Sequence, residues 1–143
     1  MAHPSPTKAH LATVEKTSVF RVLTYAGAGG VGLLLTQLLK LKGATVITTT
    51  STPEKAQLAR AAGADRVVGY ADVAAAGAEA TGGRGVDVVY DGIGKDTFEG
   101  SLDALRLRGT MVLFGGASGQ VPPVDPQRLN AKGSLTLVRP SLA

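Results

Sequence analysis

The run Gly27-Ala28-Gly29-Gly30-Val31-Gly32 has the spacing G-x-G-x-x-G. It follows a β-branched, aromatic stretch and precedes a leucine-rich one. Glycines in this pattern have separate tasks. The first permits a tight turn, the second lets backbone approach a pyrophosphate, and the third lets a helix pack close to a strand. The helix N-terminus then offers free N–H groups and a favourable dipole to negative charge. The motif predicts that Gly27, Gly29, Gly30, Val31 and Gly32 hold a dinucleotide. The competing readings are a glycine-rich turn beside an empty pocket and a methyltransferase loop of similar shape. No Gly-Lys-Ser/Thr follows, so the loop is not a P-loop.

The residues after the second predicted strand choose the cofactor. An NAD site usually places Asp or Glu there, for the ribose 2′-hydroxyl. This chain has Thr48-Thr49-Thr50-Ser51-Thr52 instead, with Lys55 just beyond and Arg60 further on. Hydroxyls and a lysine suit a 2′-phosphate, which a carboxylate would repel, so the pattern favours NADPH. Glu54 is either a first-turn acid that suits its helix dipole or a displaced ribose ligand. Lys55 is either a phosphate partner or a solvated lysine. No nucleophile–base pair and no metal cluster is legible, and no catalytic residue is assigned. Asp91 reads as a turn residue before Gly92, and His3 and His10 read as inert tail histidines.

The elements that would position these residues alternate regularly. Strands are expected over residues 18–25, 45–50, 66–70, 86–91, 110–114 and 134–138, where β-branched and apolar residues cluster between glycines. Helices are expected over residues 31–41, 72–81 and 96–105, and from Pro53 to near Gly63. In the first of these, Leu34, Leu35, Leu38 and Leu39 lie on neighbouring turns. A short turn is expected near residues 127–130. Alternating strands and helices predict an α/β fold with a doubly wound, Rossmann-type parallel sheet of about six strands and helices on both faces. Near-continuous apolar strands agree, because parallel strands are covered on both sides.

The composition bounds the possibilities. The chain has 143 residues, one domain's worth at roughly 150 residues each. Hydrophobic residues make up 44% and charged residues 18%, which argues against disorder. With no Cys, disulfide scaffolds, cysteine-ligated metals and cysteine nucleophiles are excluded. The longest apolar runs fall far short of the roughly 18 residues of a membrane span. No signal peptide is legible, and a soluble, cytoplasmic protein is expected. The net charge of +4 forms no basic stripe, so no nucleic-acid partner is expected. Residues 1–17 read as a tail with one short helical turn near residues 9–14, and residues 18–143 as the dinucleotide-binding domain.

Further stretches narrow the reading to a family. Ala26 to Gly32 resembles the nucleotide-binding signature of the medium-chain dehydrogenase/reductase superfamily. Ser51-Thr52-Pro53-Glu54-Lys55-Ala56, Ala62-Gly63-Ala64-Asp65, residues 82–91 (GGRGVDVVYD) and residues 130–140 (NAKGSLTLVRP) are similar to its zinc-free NADPH:quinone oxidoreductases, the zeta-crystallin-like branch. The resemblance runs from about Val22 to the C-terminus.

It implies that backbone around Gly29 to Val31 holds the pyrophosphate and that Ser51, Lys55 and Tyr70 surround the 2′-phosphate. Tyr70 is otherwise a strand-end aromatic covering the core edge. Phe114, Gly115, Ala117 and Ser118 would pass the nicotinamide and its ribose, and Leu137 to Arg139 would approach the same end. The implied reaction is hydride transfer from NADPH to a quinone or enone.

The chain departs from this pattern in several places. Gly69 stands before Tyr70 where the family has Asn, and Arg21 replaces an apolar strand residue. Family members carry an N-terminal substrate domain and a further C-terminal strand and helix, so the sequence reads as a cofactor domain truncated at its C-terminal end. Quinone turnover is therefore expected only when a substrate domain completes the pocket. The alternatives are a non-catalytic NADP(H)-binding module and a folded remnant. The strand from Ser134 to Val138 should lie at a sheet edge, where the resemblance implies a homodimer.

Overall fold

The computed structural model describes residues 20–141. The expected tail, its helical turn, His3 and His10 lie outside the described residues. Six strands form one parallel sheet: β1 (Arg21–Thr24), β2 (Thr45–Thr49), β3 (Arg66–Val68), β4 (Val86–Asp91), β5 (Leu105–Leu113) and β6 (Thr136–Val138). Five α-helices connect them: α1 (Gly30–Leu41), α2 (Pro53–Ala61), α3 (Val73–Ala80), α4 (Phe98–Ala104) and α5 (Gln127–Ala131). The strand order is β3-β2-β1-β4-β5-β6, with every pairing parallel. The order reverses beside β1, which pairs with both β2 and β4. That reversal opens a crevice at the carboxyl ends of the strands. The doubly wound α/β architecture predicted from the sequence is the one observed.

Neighbouring residues on the central strands supply two cores, because side chains alternate across a sheet. Leu23, Ile47, Val89 and Met111 face α3 and α4, where Val73, Phe98 and Leu102 complete the larger core. Val22 and Val46 face the other way, with Leu39 of α1, Val88 and Tyr90 packed against them.

Three local readings change. The leucines of α1 divide between its faces, with Leu39 half-buried on the side that meets the sheet. Gly32 and Thr36 are buried there, while Leu34 is 63% and Leu38 60% exposed. A Cβ on Gly32 would lie 2.2 Å from the Ala26 carbonyl oxygen, so only glycine lets the helix settle this close to the turn. β3 stops at Val68, and Tyr70 instead opens a 3₁₀ turn (Tyr70–Asp72) held by the Asp72 N–H on the Gly69 carbonyl. β5 begins earlier than expected, at Leu105. Its register against β4 shifts between Val86 and Val88, and Arg108 takes a left-handed φ of 58°.

Arg21 has a structural use at the amino edge of the sheet. Its backbone N–H donates to Asp87 Oδ2 at 2.8 Å and its Nε donates to the Ala80 carbonyl. Asp87 also accepts from Arg84 and Arg106. Burial alone would raise the Asp87 carboxyl, but these hydrogen bonds hold it below its ordinary value.

Candidate functional site

The glycine turn leaves β1 through Tyr25 and Ala26. Ala26, not Gly27, takes the left-handed conformation, with φ 52°. Gly27 is needed for a different reason: a Cβ there would come within 2.4 Å of the Thr48 side chain on β2. The Gly27 N–H bonds the Thr49 carbonyl and the Gly29 N–H bonds the Ala26 carbonyl, both at 2.9 Å. Gly29 caps α1 without a side-chain hydrogen bond, and no acid sits in the first turn. The first-turn N–H groups therefore face the crevice unopposed by a carboxylate. A Cβ on Gly30 would meet nothing within 4 Å, so Gly30 borders open space.

A cavity of about 160 Å³ opens where β1 and β2 end. It is lined by Ala26, Ala28, Gly29, Thr49, Thr50, Ser51, Lys55 and Tyr70. Ser51, Lys55 and Tyr70, expected together from the sequence, therefore share one wall, and no carboxylate joins them. Lys55 is set by the start of α2. Thr52 caps the helix by accepting from the Lys55 backbone N–H, Pro53 opens the first turn, and Lys55 Nζ donates to Ser51 Oγ at 3.4 Å. Glu54 is an exposed first-turn acid outside this lining.

A second cavity of about 280 Å³ runs over the glycine turn. Gly29, Gly30, Val31 and Gly32 border it together with Tyr25, Ile93, Phe114 and Ala117. A third, of about 410 Å³, is lined by Tyr70, Ile93, Asp96, Thr97, Ala117 and Ser118. Ser118 Oγ donates to the Ile93 carbonyl and accepts from the Asp96 N–H, so it also ties two loops together. Gly115 allows a close approach, since its Cβ would lie 2.8 Å from the Gly92 carbonyl oxygen. Leu137 packs against the larger core, and Arg139 donates to the Pro140 carbonyl. Neither lines these three cavities.

Tyr25 and Ile93 are wall residues that the motif reading missed. The available signal was position alone, Tyr25 ending one expected strand and Ile93 standing just after another. Asp91, expected as a turn residue before Gly92, is instead the last residue of β4 and is fully buried. It accepts from the backbone N–H groups of Ile93 and Gly94 and from the hydroxyls of Thr97 and Ser101.

Residues 30–139 match the zinc-binding dehydrogenase family model. The chain belongs to that family. It is 51% identical over 122 residues to quinone oxidoreductase 1 of Escherichia coli, spanning 84% of this chain and 37% of that protein. It is 48% identical over 124 residues to a 2-haloacrylate reductase of a Burkholderia species, spanning 85% of this chain and 37% of the relative. Among solved structures, E. coli quinone oxidoreductase complexed with NADPH superposes with a TM-score of 0.81 at 49% identity, covering 85% of this chain and 38% of that one. A mycobacterial protein complexed with NADPH gives 0.82 at 57% identity, over 85% of this chain and 39% of that one. The resemblance to the quinone oxidoreductase branch read from the sequence is thus borne out.

The chain spans under two fifths of the length of these relatives. Despite the family's description, the residues do not fit a zinc ion. The chain has no Cys, and no group of three or more His, Cys, Asp or Glu among the described residues could hold a metal. No helix among the described residues is long and apolar enough to cross a membrane.

Proposed function

We propose that this chain binds NADPH along the carboxyl edge of its sheet, as the cofactor-binding part of a quinone oxidoreductase-like enzyme. The observation that carries the reading is the cavity at the end of β2, where Ser51, Lys55 and Tyr70 meet with no carboxylate in the lining. The open space at Gly30 and the unopposed N-terminus of α1 fit a pyrophosphate. NADP(H)-complexed neighbours at about half identity support the same assignment.

Each residue then has a task. The α1 N-terminus from Gly29 to Gly32 holds the pyrophosphate. Lys55 and Ser51 take the 2′-phosphate, and Tyr70 covers it. Phe114, Ala117 and Ser118 shape the nicotinamide end, Gly115 lets their loop approach Gly92, and Leu137 and Arg139 approach from β6. Bound NADPH supplies a hydride that a quinone or enone accepts, and the chain's part is to bind and orient.

In this reading the described residues make the cofactor side of the pocket, and a substrate domain makes the other. Incubating the 143-residue chain with NADPH and a quinone, and following NADPH absorbance, tests it. Little or no turnover is expected from the chain alone, and turnover should appear when a relative's substrate domain is supplied. Full enzyme-like turnover by the chain alone would overturn it. The edge strand β6, with Thr136 and Val138 exposed, would pair two copies into a homodimer. A dimeric mass in sedimentation is expected, and a monomeric mass at micromolar concentration would contradict it.

A further inference from the structure

Tyr25 sits between a buried polar network and the cofactor groove. Its ring is 5% exposed, and it stacks on Tyr70 with centroids 5.9 Å apart and an interplanar angle of 26°. Tyr70 is 40% exposed and lines both the Ser51/Lys55 cavity and the neighbouring Ile93/Asp96 cavity. It is therefore a wall between the two, and Tyr25 is what it leans on.

Tyr25 is itself tethered. Its hydroxyl lies 2.9 Å from Ser101 Oγ, which lies 2.6 Å from Asp91 Oδ2. Ser101 has one hydrogen, and the carboxylate can only accept, so Ser101 donates to Asp91 and accepts from the Tyr25 phenol. The Asp91 carboxylate is fully buried and takes four donors, from Ile93, Gly94, Thr97 and Ser101. Such a satisfied network is rigid, because any displacement leaves a buried polar group unpaired. The loop to which Ile93 belongs and the stack under Tyr70 thus share one anchor.

We propose that Tyr25 is a positioning residue for cofactor choice: held through Ser101 on Asp91, its ring sets Tyr70 against the Ser51/Lys55 cavity and so favours the 2′-phosphate. This rests on the NADPH reading above. Tyr25 does not touch the phosphate cavity, whose lining includes Tyr70 and not Tyr25. Tyr25 also borders the cavity over the glycine turn, which both cofactors would share, so an effect confined to NADPH must pass through Tyr70.

Calorimetric titration of Tyr25→Phe, Tyr70→Ala and the double variant with NADPH and NADH tests this. Tyr25→Phe keeps the stacked ring and loses only the tether. Its NADPH Kd should rise about threefold to tenfold, the effect of one lost hydrogen bond, while its NADH Kd stays within about twofold. Ser101→Ala, which leaves both rings in place, should move NADPH affinity the same way. The double variant should bind NADPH no more weakly than Tyr70→Ala alone. Additive losses would overturn the proposal, as would equal losses for both cofactors, the mark of a merely structural role. If Tyr25→Phe leaves an existing NADPH preference untouched, the proposal alone fails. If the unaltered chain shows no preference, the site reading fails and takes the proposal with it.

Discussion

Lys55 Nζ reaches Ser51 Oγ at 3.4 Å across the first turn of α2, while the Lys55 backbone N–H is held separately by Thr52 Oγ1. The side chain is therefore free to serve a ligand without loosening the helix cap. Lys55→Ala should leave the melting temperature unchanged and weaken NADPH binding by about tenfold or more, a scale set by losing one charge-assisted contact. NADH binding should not change. Equal weakening of both cofactors, measured by calorimetry, would contradict the assignment of Lys55 to the 2′-phosphate.

Two glycines two residues apart should fail differently. A Cβ at Gly30 meets nothing within 4 Å, whereas one at Gly32 lies 2.2 Å from the Ala26 carbonyl oxygen. Gly30→Ala should fold with stability within about 1 kcal/mol of the unaltered chain, since helix propensity favours alanine. It should nevertheless bind NADPH more weakly, because the new methyl borders the groove. Gly32→Ala should lose roughly 2–4 kcal/mol of stability from the backbone clash. Urea unfolding separates the two, and matching losses in both variants would contradict this account of the turn.

The fold was legible where strand pattern and glycine punctuation agree. β4 was expected over Val86–Asp91 and is found there, because Gly85 and Gly92 bracket a run rich in valine and tyrosine. Ser51 and Lys55 were legible because their signal is chemical, hydroxyls and a cation where a carboxylate would otherwise stand, whereas Tyr70 was placed beside them only by the family resemblance. The buried face of α1 was not legible. Periodicity offers the leucines, but the close contact of Gly32 with the turn decides which side meets the sheet. The end of β3 was hidden for a similar reason: its 3₁₀ turn brings Tyr70 onto Tyr25, a contact between distant parts of the chain. The early start of β5 was hidden although Leu105 to Arg108 alternate apolar and charged residues, because Gly109 and the left-handed Arg108 interrupt the run.

Thr36 exposes another consequence of that helix orientation. It is fully buried, and its hydroxyl has no hydrogen-bond partner among the described residues. Thr36→Val keeps the shape and removes the unpaired polar atom, so it should leave stability equal or raise it by about 1 kcal/mol. A clear drop in melting temperature would show that the hydroxyl is paired in solution.

Burial pushes the Tyr25 phenol up to about 12 from 10.0, with the Asp91 charge adding to the rise. The unfolded chain gives up this proton near pH 10 while the folded chain keeps it. The stabilisation is therefore complete below about pH 10 and is lost as pH rises through about 12, a change of roughly 2–3 kcal/mol. Tyr25→Phe should flatten that part of the urea-unfolding profile. Parallel profiles for the two proteins would contradict the burial assigned to Tyr25.

The central claim is that the crevice beside β1 is an NADPH site read through its 2′-phosphate. The most direct test is calorimetric titration of the unaltered chain with NADPH and, separately, with NADH, which a protein without Trp allows without reliance on intrinsic tryptophan fluorescence. The account predicts saturable NADPH binding, about tenfold or more tighter than NADH, equivalent to about 1.4 kcal/mol or more. Equal affinity for the two cofactors, or no binding of either, would contradict it.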